Sequence, residues 1–119
     1  MPSDPDSEVQ ALLPLASAFL HILIALGEGE RHGYGIMQEV TARTGGRVRM
    51  SPGTLYGSIK RMLADGLIEE LTSGAAGADE RRRFYRLTKF GRRVALAETE
   101  RLASLLSQAR SAGLAPRRA

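Results

Sequence analysis

Residues 51–63, SPGTLYGSIKRML, decide how the chain is read. Ser51 suits a helix N-cap and Pro52 the first helical position, where a missing N–H is no loss. Gly66, just past Asp65, suits a helix end. At 100° per residue, Leu55, Ile59, Met62 and Leu63 share one arc and form a buried stripe. Gly53, Thr54, Gly57, Lys60 and Arg61 fall on the opposite side, with Tyr56 at the edge between the two. A glycine inside a helix costs about 1 kcal/mol relative to alanine. Gly57 therefore makes little sense in a helix that only packs. It suits a helix whose outer face must approach something closely.

Double-stranded DNA is one such object. A recognition helix enters the major groove with its N-terminal half nearest the base edges. Small residues at Gly53 and Gly57 let the backbone sit deep, and Thr54 or Ser58 reaches phosphates or bases. Lys60 and Arg61, one turn on, meet phosphate oxygens or a guanine edge. Tyr56 donates its hydroxyl to a phosphate, and the helix start at Ser51 favours an anion.

Downstream, LIEELTS (67–73) and RRFYRLT (82–88) read as two strands joined by a small flexible loop. Alternation turns Tyr85 and Leu87 to the core and Phe84 and Arg86 to the other face. Arg81, Arg82 and Arg83 make this hairpin basic, and with the helix they complete the expected DNA-contacting set. Asp79 and Glu80 dilute the charge. Between residues 43 and 93 there are 12 basic and 5 acidic residues, whereas the remainder holds 5 basic and 8 acidic. The net charge of +4 thus hides a polarised distribution, the footprint of a protein that meets a polyanion.

Upstream, Pro14 suits the first turn of a helix running through LASAFLHILIAL to the glycines at 27 and 29. That helix is apolar on nearly every side, so it needs burial on more than one face. In so small a domain the second cover is expected from another subunit, through Phe19 and Leu23. A further helix from about Gly33 to Thr44 carries Ile36, Met37 and Val40 and ends at Gly45–Gly46. Thr88 caps the last helix, whose Leu102, Leu105, Leu106 and Ala109 follow an approximate heptad rhythm that predicts dimerisation.

The fold class is mainly α with a small β-hairpin: a winged helix-turn-helix plus a C-terminal dimerisation helix. Residues 1–10 are expected to be flexible, 11–88 to form the DNA-binding domain, 89–113 the dimerisation helix and 114–119 a flexible tail.

Three blocks now take on a more specific meaning. HGYGI (32–36), SPGTLYGSIKRMLADGLI (51–68) and RRFYRLTKFG (82–91) resemble the PadR family of bacterial transcription regulators in order and spacing. The resemblance covers roughly residues 12–110, and the single short final helix is similar to the smaller subtype of that family. It implies a winged-helix homodimer whose C-terminal helix joins the subunits. Such proteins bind pseudo-palindromic operator DNA, usually repress, and often release DNA when a small hydrophobic effector binds. By the same resemblance Tyr56 and Lys60 contact DNA and Tyr34 packs between helices. The chain departs from the family habit at Gly57, where proline often follows the tyrosine. Some members have a tryptophan-lined pocket at the dimer centre, and this chain has no tryptophan.

Other classes find less support. The chain has no cysteine, which removes disulfides, thiolate metal sites and a cysteine nucleophile together. His21 reads as a core-edge residue and His32 as a turn-fixing one. No phosphate-binding loop or carboxylate cluster suggests an enzyme, and no cofactor is expected. The apolar run Leu15–Leu26 spans 12 residues, short of the roughly 20 that cross a membrane. With no leader-like N-terminus, a cytoplasmic location is expected. RNA binding would call for more exposed stacking aromatics than Tyr56 and Phe84. The reading left open beside DNA binding is a winged-helix module for protein or ligand, with weak or no DNA contact.

Overall fold

The computed structural model describes residues 5–71 and 83–116. Five helices and three strands follow in the order α1 (Pro5–Ala11), α2 (Ser17–Ala25), β1 (Arg31–His32), α3 (Gly33–Arg43), α4 (Pro52–Ala64), β2 (Ile68–Leu71), β3 (Phe84–Leu87) and α5 (Lys89–Ser111). The strands form one antiparallel sheet in the order β1-β3-β2.

Sequence explains the helix boundaries. His32, Ser51 and Thr88 each cap the following helix through a side chain that accepts a backbone N–H three residues on, from Gly35, Thr54 and Gly91. Gly66 turns the chain out of α4 with φ +76°, a conformation other residues rarely adopt. His32 thus fixes a turn, as its place in the sequence suggests. Its ring also meets Phe84 of β3 edge to face at 5.6 Å.

The core gathers Ile22, Leu23 and Leu26 of α2, Ile36 and Val40 of α3, Leu55, Ile59 and Met62 of α4, with Leu67, Ile68, Tyr85 and Val94. Fully burying each large apolar side chain contributes about 1.5–3 kcal/mol. Burial raises the Tyr85 phenol above its ordinary pKa, with the nearby Glu70 carboxylate adding to the effect. At the base of the wing, α5 crosses so closely that a Cβ on Gly91 would overlap the Leu67 carbonyl. That carbonyl also accepts the Thr88 N–H at 3.2 Å, which fastens the end of α4 to the start of α5.

Four features differ from the sequence reading. Residues 5–11 form a helix, because Val9 buries itself against the core while Asp6 and Glu8 stay outside; Asp6 meets Arg93 of α5. The following helix starts at Ser17 rather than Pro14, since the chain first turns through a link at 12–16. Much of its apolar surface is covered by α3, α4 and α5 of the same chain, while Ile24 stays 40% exposed. Leu23, expected at a subunit interface, is consequently buried in the protomer core, and Phe19 packs half-buried against that core. Finally, the wing is a three-stranded sheet, because β1 pairs with β3 through Arg31↔Tyr85 and His32↔Phe84.

Candidate nucleic-acid interface

The exposed face of α4 is built around Tyr56, Gly53, Gly57 and Lys60, all open to solvent. Tyr56 does not float free. Its ring lies over the start of α3, where a Cβ on Gly33 would stand 2.7 Å from the hydroxyl oxygen and 3.0 Å from two ring carbons. The absence of a side chain at Gly33 lets the ring settle there while Tyr56 as a whole remains about half exposed, at 48%. Among the described residues, and apart from its chain neighbours and the adjacent backbone of α4 itself, nothing lies within 4 Å of where a Gly57 Cβ would stand. Packing among the described residues therefore makes no demand for glycine at this position.

Ser51 and Thr54 are both exposed, and both serve the cap. The Thr54 amide donates to Ser51 Oγ at 3.1 Å, and Ser51 Oγ donates to Thr54 Oγ1 at the same distance. Ser58 departs from expectation: it is 8% exposed, on the α4 face that meets the core. Its small side chain fits beside the apolar stripe, so it is not placed to reach DNA from the outer face. Arg61 lies at the far edge of α4, where it pairs with Asp65 at 3.3 Å and borders a cleft beside the 12–16 link. Lys60 has no carboxylate within salt-bridge distance among the described residues. The two cations that the sequence treats alike are thus unequal.

On the wing, Arg83 meets Glu70 at 3.5 Å and Arg86 pairs with Glu69 directly across the strands. Such exposed pairs are worth about 0–1 kcal/mol and leave the guanidinium groups open to other anions. Arg81 and Arg82 lie outside the described residues. Tyr34, expected from the family resemblance to pack between helices, is instead 59% exposed in the first turn of α3.

Two arginines missed by the sequence reading stand at the entrance to α4. In the extended link, Val48 and Met50 turn inward against the core, and Arg47 and Arg49 turn outward. The alternation of RVRM carried that signal, since period-two spacing separates the two faces. Along α5, Leu102, Leu105 and Leu106 are 40%, 46% and 42% exposed, with half-buried Ala109 below them.

With this geometry in place, similarity to known proteins is specific. Residues 22–97 match the family described as "Transcriptional regulator PadR-like family". The chain belongs to the PadR-like family. This PadR-like protein is 43% identical over 89 residues to the transcriptional regulator Rv3488 of Mycobacterium tuberculosis, which spans 72% of this chain and 75% of that one. It shares its fold with a PadR family transcription regulator from hypervirulent Clostridium difficile, at TM-score 0.68 and 22% identity over 81% of this chain and 97% of the other. Bacillus subtilis PadR, solved in complex with operator DNA, has the same fold at TM-score 0.61 and 24% identity, over 75% of this chain and 48% of that one. Proteins of the PadR-like family are DNA-binding transcriptional regulators without enzymatic activity, and this chain is one of them. No helix among the described residues is long and apolar enough to cross a membrane.

Proposed function

We propose that this PadR-like regulator acts as a homodimeric repressor that grips a pseudo-palindromic operator. The observation that carries this reading is the outer face of α4, which combines the braced Tyr56, the open Gly57 and Lys60, which has no carboxylate partner among the described residues. In the reading, α4 enters the major groove, with Gly53 and Gly57 giving it depth and Lys60 meeting a phosphate or a guanine edge. Tyr56 donates its hydroxyl to a phosphate. Arg47, Arg49 and the wing arginines hold the flanking backbone and carry no sequence information of their own.

Dimerisation is supported by the stripe of Leu102, Leu105 and Leu106, exposed among the described residues, with half-buried Ala109 beside it. Pairing these helices would hold two winged domains at a fixed separation and so match two half-sites. Effector release has its own support. A cleft of about 280 Å³ lined by Leu12, Pro14, Leu15, Phe19 and Leu67 reaches Arg61 and Asp65 at the end of α4. A small hydrophobic molecule lodged there would act directly on the recognition helix.

Selecting bound fragments from the source genome and footprinting them tests the reading. The expected footprint is two inverted half-sites with centres about one helical turn apart. A single unpaired footprint, or no retained fragment at low salt, would contradict it.

A further inference from the structure

Glu98 is an anomaly in α5. Gly91, Val94, Glu98, Leu102 and Leu105 recur at three- and four-residue steps, so they form one stripe along the helix. The first part of the stripe packs on the winged domain of its own chain. Beyond Glu98 it is exposed. The carboxylate stands at the change-over and is only 2% exposed.

Its bonds explain how a charge survives there. Glu98 Oε2 accepts the Leu15 backbone N–H at 2.9 Å, and Arg101 donates to both oxygens at 2.6 and 3.1 Å. The Arg101 guanidinium holds the carboxyl below its ordinary pKa against the opposing effect of burial, and the Leu15 amide adds to this. Leu15 belongs to the link that leads into α2, and α2 runs on through the core to α3 and α4. The other polar ties from α5 to the winged domain, through Thr88, Arg92 and Arg93, all lie at its start or in its first two turns. Among the described residues, Glu98 is the last tether before α5 leaves the domain. An apolar side chain would fill the stripe equally well, but it would leave the Leu15 N–H without an acceptor and would fix no rotation of α5.

We infer that Glu98 is a positioning residue for operator spacing: through Leu15 it fixes the rotation and rise of α5 against the winged domain. The inference rests on the dimeric DNA-binding reading. With α5 pinned, joining two copies sets the distance and twist between their α4 helices. One base pair of extra spacing displaces a half-site by about 3.4 Å and rotates it by about 35°, so a rigid dimer discriminates sharply between spacings. A dimer whose α5 swivels accepts several.

The test is in vitro selection from a random double-stranded DNA library with the wild type, Glu98→Leu and Glu98→Gln. The wild type should enrich paired half-sites at one spacing. Glu98→Leu keeps the apolar stripe and should enrich the same half-site at several spacings. Affinity for a probe altered by one base pair should be nearly restored in this variant, whereas the wild type should lose about tenfold, the scale of one mismatched pair. Glu98→Gln keeps an acceptor for Leu15 and should recover the narrow spacing. A purely structural role would lower the melting temperature of Glu98→Leu and leave its spacing unchanged, which would overturn the inference. Should Glu98→Leu not fold, Arg101→Met loosens the same tether and must broaden spacing for the inference to stand. A wild type that enriches no paired half-sites would defeat the dimeric reading itself, and this inference with it.

Discussion

The ring of Tyr56 rests on the backbone of Gly33, with the hydroxyl 2.7 Å and two ring carbons 3.0 Å from where a Gly33 side chain would begin. The contact joins the first helix of the helix-turn-helix to the outer face of the second. It gives an exposed aromatic side chain a fixed direction before any partner arrives, which reduces the ordering that binding would require.

Gly33→Ala should therefore act on DNA through Tyr56. The added methyl displaces the ring, and overpacking of this kind costs about 1–3 kcal/mol in stability. DNA affinity should fall about tenfold or more at temperatures where the variant is still folded, and Tyr56→Ala should show a similar loss with a smaller change in melting. Fluorescence anisotropy on one selected fragment, with thermal melts alongside, measures both. A Gly33→Ala protein with wild-type affinity would separate the ring position from binding.

Lys60 and Arg61 should not behave alike. Lys60 has no carboxylate partner among the described residues, whereas Arg61 is turned toward Asp65. Removing one phosphate contact lowers the slope of log K against log salt by about 0.9. Lys60→Ala should show that change, and Arg61→Ala should show less of it. Equal slopes in the two single variants would place both side chains on phosphates.

Gly91→Ala should be the most damaging of the small substitutions. A Cβ there overlaps the Leu67 carbonyl, and both sides of the contact are backbone, so relief requires α5 to move off the base of the wing. The expected loss is more than about 2 kcal/mol, read from denaturant midpoints. A change of a few tenths would show that α5 yields easily at this point.

Leu102→Glu or Leu106→Glu should separate the subunits. Each places a charge in the exposed apolar stripe of α5, where burial against a second copy would leave it unpaired. Sedimentation should report monomers, with DNA affinity falling because two half-sites are no longer held together. A variant that sediments as a dimer would move the interface elsewhere.

Glu98 predicts a pH dependence. Its folded pKa lies below the ordinary value of 4.5, so its contribution to stability is present above that value and is lost as pH falls through the folded pKa. Glu98→Gln has no such titration. The stability gap between wild type and Glu98→Gln should be constant near neutrality and shrink as the pH drops below 4.5. A gap of constant size through the acid range would show that the carboxylate charge contributes nothing.

Much of this was legible in the sequence because local chemistry dictated it. Ser51, Pro52 and Gly66 bound α4 at both ends, and its apolar stripe marks its buried side. Other features depend on tertiary packing that periodicity does not register. Ser58 is small and polar, so nothing in the pattern shows it tucked beside Leu55 and Met62. Leu23 lies on a helix apolar all round, and only the positions of α3, α4 and α5 decide which face is covered from within. The acidic residues at 6 and 8 disguise α1, whose anchor is the single Val9. Glu98 looks like one more charge on an exposed helix until the link at Leu15 folds against it.

The most direct test of the central claim is a mobility-shift assay at one fixed salt concentration, comparing wild type with the Lys60→Ala, Arg61→Ala double variant on a fragment selected by the wild type. Neither residue belongs to the buried stripe of α4, so the variant should remain a folded dimer. The double variant should no longer shift the fragment. Unchanged affinity in a folded, dimeric double variant would contradict the assignment of α4 as the helix that reads DNA.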